Sequence, residues 1–159
     1  MNRSYLAFWL VVIFSVTACS GLKTYPNTAE KNLLVKTKAS GSPFMSVAVF
    51  LHIYDLKEDC KSDYLGSIKL KNGETQIGIP TGRPTYLAFV FHSDGFVPST
   101  TILTPRPGDR YIANVNYADR IYNLSIHEAG PRGKQGREIE RQARNCPDVR
   151  NLPEYEIFN

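Results

Sequence analysis

Cysteine is the residue type in this sequence best suited to covalent chemistry, and the chain has three of them. Cys19 follows a single cation, Arg3, an apolar run from Leu6 to Val16, and the small residues Thr17 and Ala18. This order is typical of a secretory signal peptide. The run is shorter than the roughly 20 apolar residues that a membrane-spanning helix needs. We therefore interpret residues 1–18 as a removable leader.

The tetrapeptide Val16-Thr17-Ala18-Cys19 resembles the lipobox of bacterial lipoproteins, in which an aliphatic residue and two small residues precede a cysteine. The resemblance implies a diacylglyceryl thioether on Cys19, cleavage before it, and acylation of the new amino group. It also implies an outer-membrane location, because Ser20 rather than aspartate follows the cysteine, and we expect the anchored protein to face the periplasm. More than one acyl chain attaches a protein stably to a membrane. The alternative is ordinary secretion with cleavage after Ala18.

Residues 19–30 are short of apolar side chains and contain Gly21, Pro26 and Asn27, which favours a lipidated tether. If Cys19 carries lipid, Cys60 and Cys146 remain as an even pair. In an oxidising compartment this pair predicts a disulfide, with two buried thiols as the alternative.

The three histidines, His52, His92 and His127, are the candidate catalytic or metal-binding residues, but they are scattered singly along the chain. The sequence has no Gly-x-Ser-x-Gly, His-Glu-x-x-His or phosphate-loop motif. The acidic residues around Cys60 lack the spacing of an EF-hand and are interpreted as a solvated loop. We therefore expect no catalytic residues, metal or cofactor. An envelope hydrolase remains the alternative that these histidines would serve.

Positive charge collects near the C-terminus, in a chain of 159 residues with a formal net charge of +4. Arg137, Arg141 and Arg144 are the residues chosen as a candidate site for an anionic envelope component, such as lipid phosphate, lipopolysaccharide or peptidoglycan carboxylates. The alternative is a solvated helix that keeps the chain soluble. Nucleic acid is not expected, because the charge is modest and the compartment excludes it.

Between residues 31 and 128 the chain has short β-favouring runs separated by turn residues. We predict an all-β, antiparallel β-sandwich of seven or eight short strands, transthyretin- or immunoglobulin-like. Residues 129–159 form a basic extension, in which residues 134–145 are predicted to be one short helix. The predicted strands are residues 32–38, 45–56, 65–71, 76–79, 86–92, 100–103, 111–117 and 121–127.

Two local patterns make sharper predictions. Residues 45–56 carry apolar side chains on both faces, with Val49 and Leu51 on one and Phe50 and Tyr54 on the other, which predicts a strand contacted on each side. Asn72-Gly73 favours a type I′ turn, so residues 65–71 and 76–79 are expected to pair as a hairpin. Residues 111–117 and 121–127 are expected to form the last hairpin.

Part of the body resembles PEGA domains and their transthyretin-like relatives, over roughly residues 65–115. The matching positions are Gly66, Gly78-Ile79-Pro80, Gly82, Asp94-Gly95-Phe96 and Pro107-Gly108. The resemblance implies a non-enzymatic structural or interaction module of the cell envelope. Ser42-Pro43 and the run from Val47 to Leu56 are also similar to the first strands of the type VI secretion lipoprotein. That similarity gives the alternative of an accessory lipoprotein in a secretion machine.

Overall fold

Two β-sheets make up the part of the chain described by the computed structural model, residues 22–41, 47–57, 61–92, 96–119 and 121–140. The strands follow the alternating apolar runs of the sequence. They are β1 (Leu33–Ala39), β2 (Ala48–Leu56), β3 (Ser62–Leu70), β4 (Gly73–Ile77), β5 (Thr85–His92), β6 (Phe96–Leu103), β7 (Tyr111–Ala118), β8 (Ile121–Ala129) and β9 (Gln135–Glu138).

The five-stranded sheet has the order β4-β1-β7-β8-β9, and the four-stranded sheet has the order β3-β2-β5-β6. The predicted all-β sandwich is confirmed, with nine strands in the described residues instead of seven or eight. The prediction of a purely antiparallel arrangement is wrong at one place. Strands β1 and β7 pair in parallel from Leu33↔Tyr111 to Ala39↔Tyr117. Strand β1 lies between β4 and β7, and it is antiparallel to β4. Strand β7 also forms an antiparallel hairpin with β8 on its other side.

The main core lies between the two sheets and is built from the inward side chains of alternating positions. The four-stranded sheet contributes Leu51, Ile53 and Phe89, and the five-stranded sheet contributes Val35 and Val115, all of them fully buried. Burial of one such aliphatic or aromatic side chain stabilises the fold by roughly 1.5–3 kcal/mol before entropic costs. This core fixes which face of each sheet points inward.

The expected hairpin at Asn72-Gly73 is absent, because the two strands beside it belong to different sheets. Strand β3 pairs with β2, whereas β4 pairs with β1. The side chain of Asn72 explains the difference. Its Oδ1 accepts a hydrogen bond from Ala39 N at 2.7 Å, and its Nδ2 donates one to Ala39 O at 2.9 Å. Asn72 therefore fastens the crossover to the end of β1 instead of turning the chain back on itself.

The helix predicted for residues 134–145 is wrong over its first part, where Gln135–Glu138 forms strand β9. Helix propensity is low there because Gly136 interrupts the segment and the apolar stripe is thin. The edge of β8 offers unpaired backbone groups, and β9 pairs with it at His127↔Glu138. Ile139 continues this pairing by donating to Ile126 O at 2.7 Å, and its side chain packs against the main core.

The remaining two local predictions are confirmed. Strands β7 and β8 form an antiparallel hairpin from Tyr111↔Glu128 to Ala118↔Ile121. Strand β2 lies between β3 and β5, and both of its faces are largely buried.

Candidate functional site

Most of the residues singled out by type lie outside the described part of the chain. This holds for the lipidation candidate Cys19, the disulfide candidates Cys60 and Cys146, and the anion-binding candidates Arg141 and Arg144. Their lipidation, bridging and anion binding therefore stay predictions.

Arg137 is the one anion-binding candidate in the described residues, and it lies on β9. Its Nη2 atom is 2.9 Å from Glu128 Oε1 on β8, and both side chains are largely exposed to solvent. An exposed pair of this kind contributes roughly 0–1 kcal/mol. A groove beside Glu128 is also lined by Arg106, Asp109 and Arg110, so it carries both positive and negative groups. The positive charge of Arg137 is therefore partly neutralised by the carboxylate of Glu128.

Three histidines were candidates for a joint site, and the structure places them on two sheets. His52 and His92 lie on the outer face of the four-stranded sheet, on β2 and β5. His127 lies on β8 in the five-stranded sheet, with Nε2 at 3.1 Å from Ser125 Oγ. In the ranges that the structure describes, no three His, Cys, Asp or Glu side chains are grouped as metal ligands would be.

The outer face of the four-stranded sheet carries a second buried cluster, which we call the aromatic face. Tyr54, Tyr86 and Ala88 form its centre, and Tyr64 and Ile102 pack against them. The ring centroids of Tyr54 lie 5.1 Å from Tyr64 and 5.7 Å from Tyr86, distances typical of favourable aromatic pairs. Sequence alternation indicated apolar character here, but the register of β2, β3 and β5 brings these rings together.

His52 belongs to the aromatic face and is fully buried. Its Nδ1 lies 3.3 Å from the hydroxyl of Tyr64. Burial, helped by the nearby charge of His92, lowers the pKa of His52 from 6.5 to about 4. Burial also lowers the pKa of His92, whose ring lies 4.9 Å from that of Phe50. Both imidazoles are therefore neutral near pH 7 and serve as aromatic packing groups.

A short N-terminal segment, residues 23–27, is fastened to the body, and we call it the strap. Ser67 N donates to Lys23 O at 2.8 Å, and Tyr25 N donates to Ser67 O at 2.9 Å. The strap thus runs parallel to the free edge of β3.

The side chains of the strap continue across to the other sheet. Tyr25 is buried, and its hydroxyl donates to Gly78 O at 2.7 Å. Gly78 N donates to Asn27 Oδ1 at 2.8 Å. Burial raises the pKa of the Tyr25 phenol, which keeps the phenol proton available for this hydrogen bond. Residues 23–27 are therefore part of the folded body, which corrects the interpretation of the whole of 19–30 as a tether.

Two glycines make room for this N-terminal segment. A Cβ at Gly66 would lie 2.6 Å from Tyr25 N, and the φ of Gly66 is +140°, a conformation that L side chains rarely adopt. A Cβ at Gly78 would meet the Ala29 carbonyl group. In the sequence both glycines were positions that match the PEGA-like resemblance, and the structure shows that each allows the close approach of a distant backbone segment. The sequence shows each glycine, but it does not show which distant backbone segment approaches it.

Among the described residues, no helix has the length and apolar character needed to span a membrane.

Comparisons with known proteins concern the fold. No protein-family model matches the chain, and no curated protein matches it. Among solved structures, transthyretin from Sparus aurata is similar, with a TM-score of 0.46 and 16% sequence identity. The match covers 64% of this chain and 100% of that chain. We draw no functional argument from a likeness at this level, and the sandwich fold rests on the strands described above.

Proposed function

We propose that the protein is a lipid-anchored, non-enzymatic module of the cell envelope, held close to the membrane by its strap. The observation that carries the proposal is the attachment of residues 23–27 to β3 and Gly78. Between Cys19 and Lys23 the chain spans no more than roughly 14 Å when extended. An acylated Cys19 therefore holds the sandwich against the bilayer instead of letting it swing on a long tether.

The charges beside the strap support this orientation. Lys69 and Lys71 are exposed on and just after β3, the strand that the strap follows, and Lys23 is exposed on the strap itself. Each lysine close to an anionic bilayer surface contributes roughly 1 kcal/mol of attraction. The edge of the sandwich nearest the anchor is therefore suited to lipid phosphates.

The anchor is tested by replacing its attachment point. A Cys19→Ala variant should keep its leader and leave the membrane fraction after alkaline washing, because no thiol remains for acylation. A Ser20→Ala variant is the matched control and should fractionate like the wild type. Mass measurement of the N-terminal peptide should show the acyl mass only when Cys19 is present. If the wild-type N-terminal peptide begins at Cys19 without acyl mass, or if Cys19→Ala behaves as wild type, the proposal is wrong.

The outer-membrane location is part of the same proposal and has its own test. In the lipoproteins that the leader resembles, aspartate after the cysteine favours the inner membrane. Ser20→Asp should therefore move the protein to inner-membrane fractions on a density gradient, with Ser20→Ala unchanged. A wild-type protein found in the inner membrane would contradict this location.

The envelope partner is proposed to be anionic and to meet Arg137, Arg141 and Arg144. Reversing all three to glutamate should weaken retention on isolated envelope material, because attraction becomes repulsion. A matched variant reversing Lys36, Lys38 and Lys61 changes the net charge equally at other surfaces. Equal retention of the two variants would contradict a specific role for the arginines.

A further inference from the structure

A groove of about 390 Å³ lies between the N-terminal segment and strands β2 and β3. Leu22 lines one side of it, and Phe50, Ile68 and Lys69 line the other. Two backbone hydrogen bonds to Ser67, which also lines the groove, hold the strap beside β3. Both sides of the groove therefore belong to the folded body.

The sides of the groove are apolar, and its charge is positive. Leu22, Phe50 and Ile68 are partly buried, so part of each apolar side chain stays open to solvent. Lys69 is exposed and pairs with Phe50 across β3 and β2, with its Nζ 5.9 Å from the centre of the Phe50 ring. In the part of the chain that the structure describes, no acidic residue lines the groove and no carboxylate forms an ion pair with Lys69. The groove therefore fits a ligand with an apolar chain and an anionic group.

The position of the groove indicates the source of such a ligand. Leu22 lines the groove, and the chain from Cys19 to Leu22 spans no more than roughly 11 Å when extended. With Cys19 acylated as proposed above, the groove opens close to the bilayer surface, where phospholipid is the abundant amphiphile. The groove beside Glu128 differs in chemistry, because Arg106 and Asp109 give it both signs of charge and no preference for an anion.

We propose that this groove binds one acyl chain of an anionic phospholipid of that bilayer, with the phosphate of its headgroup against Lys69. The inference rests on the proposed function for the nearness of lipid, and it goes further by assigning a binding site for a single lipid molecule. Contact of the acyl chain with Leu22, Phe50 and Ile68 removes apolar surface from water, and the ammonium of Lys69 donates a charge-assisted hydrogen bond to the phosphate. Because the N-terminal segment forms one side of the site, a bound lipid also favours the docked strap.

Tryptophan fluorescence tests the site, because the single tryptophan of the chain, Trp9, precedes Cys19 and is absent from a mature protein that begins there. Phe50→Trp in the mature chain therefore places the only fluorophore of this type in the groove. Vesicles of phosphatidylglycerol brominated in its acyl chains should quench the emission several-fold, because bromine quenches at close range. Ile121→Trp, at a side chain that is 69% exposed on β8, is the matched control and should be quenched little.

Reversal of one charge separates binding in the groove from nearness to the bilayer. Adding Lys69→Glu to Phe50→Trp should remove most of the quenching, whereas adding Lys36→Glu, on the five-stranded sheet, should not. Unquenched Phe50→Trp in protein that sediments with the vesicles overturns the proposal, as does equal quenching of the two charge variants. Leu22→Trp gives the same readout from the other side of the groove if Phe50→Trp does not fold.

Failure of the anchor gives a different result from failure of the groove. Protein whose N-terminal peptide carries no acyl mass, and which does not sediment with phosphatidylcholine vesicles, contradicts the proposed function. Titration of that protein with the brominated phosphatidylglycerol to saturation then tests the groove by itself. Quenching that saturates supports the lipid site, and absence of quenching overturns it.

Discussion

The outer faces of the two sheets differ in chemistry although the sheets share one core. On the five-stranded sheet, Asn114 Nδ2 donates to Ser125 Oγ at 3.2 Å, and Gln135 Nε2 donates to Asn114 Oδ1 at 3.0 Å. Lys36 and Glu74 form an ion pair at 3.2 Å on the same face. The four-stranded sheet instead presents the tyrosines and histidines of the aromatic face.

The difference teaches that the two sheets meet different environments. A polar outer face satisfies its groups by mutual hydrogen bonds and by water, as expected for an antiparallel sheet with one wet side. An aromatic outer face gains little from water and gains stability from contact. The protein is therefore organised in layers from a wet surface, through the main core, to a second apolar layer on the far side.

The largest effect is expected from the predicted disulfide between Cys60 and Cys146. Cys60 lies in the connection from β2 to β3 of the four-stranded sheet, and Cys146 follows β9 of the five-stranded sheet. A disulfide closing that long loop stabilises by roughly 4–5 kcal/mol in the chain-entropy model. Reductant should lower the free energy of unfolding of the wild type by that amount and leave a Cys60→Ala, Cys146→Ala double variant unchanged. Two thiols that react with an alkylating agent before reduction would contradict the bridge.

If the aromatic face is a second core, Tyr54→Ala should cost roughly 3–5 kcal/mol, because a fully buried ring is replaced by a cavity. Ile121→Ala is the control on the outer face of the five-stranded sheet, since Ile121 is 69% exposed on β8, and it should lower the free energy of unfolding by about 1 kcal/mol or less. Denaturant unfolding of both variants measures the difference. Equal costs would remove the distinction between the two sheets' outer faces.

Lowering the pH should also distinguish the two outer faces, because it protonates the buried imidazole of His52. The pKa of His52 is about 4 in the folded protein, against 6.5 in an unfolded chain, so the unfolded state binds more protons between these values. Stability is then lost as pH falls from about 6.5 to about 4, by roughly 3 kcal/mol in all. His92, Tyr54 and Tyr64 face this imidazole, and the lowered pKa of His92 adds a loss of the same sign.

The variant His52→Gln separates the His52 contribution from general acid effects. Its stability should depend less steeply on pH between 4 and 6.5 than that of the wild type. Gln135→Ala is the control on the polar face, because it removes a hydrogen bond to Asn114 without removing a titratable group, and it should keep the wild-type slope. The assignment fails if both variants keep the wild-type slope.

The smallest effect is expected on the polar face. Ser125→Ala removes hydrogen bonds to Asn114 and His127 that water can replace, because Ser125 is only partly buried. The free energy of unfolding should therefore change by about 0.5 kcal/mol or less. A loss above about 2 kcal/mol would show that this network is as important as the aromatic face.

The sequence was informative where the signal is local and periodic. Alternation predicted most of the strands, and the two apolar faces of β2 correctly indicated a strand contacted on both sides. It was uninformative where the deciding partner is distant. Asn72 was interpreted as a turn residue because its contact with Ala39 cannot be seen locally. Strand β9 depends in the same way on the open edge of β8.

The candidate sites follow the same rule. Cys19 was identified from its immediate neighbours, and that prediction still rests on them. The strap was missed because the hydroxyl of Tyr25 bonds to Gly78, 53 residues along the chain. The aromatic face was predicted only in part. Its apolar character was apparent from the sequence, but the grouping of Tyr54, Tyr64 and Tyr86 depends on the register of three strands.

The strap also has a mechanical consequence. A force applied at an anchored Cys19 reaches the body first through the two backbone hydrogen bonds at Ser67 and the bond from Tyr25 to Gly78. These three bonds join the strap to both sheets, so the load divides between them and does not peel one edge strand. If Cys19 is acylated as proposed, this arrangement lets the sandwich stay folded while the N-terminal end of the chain is held in the membrane.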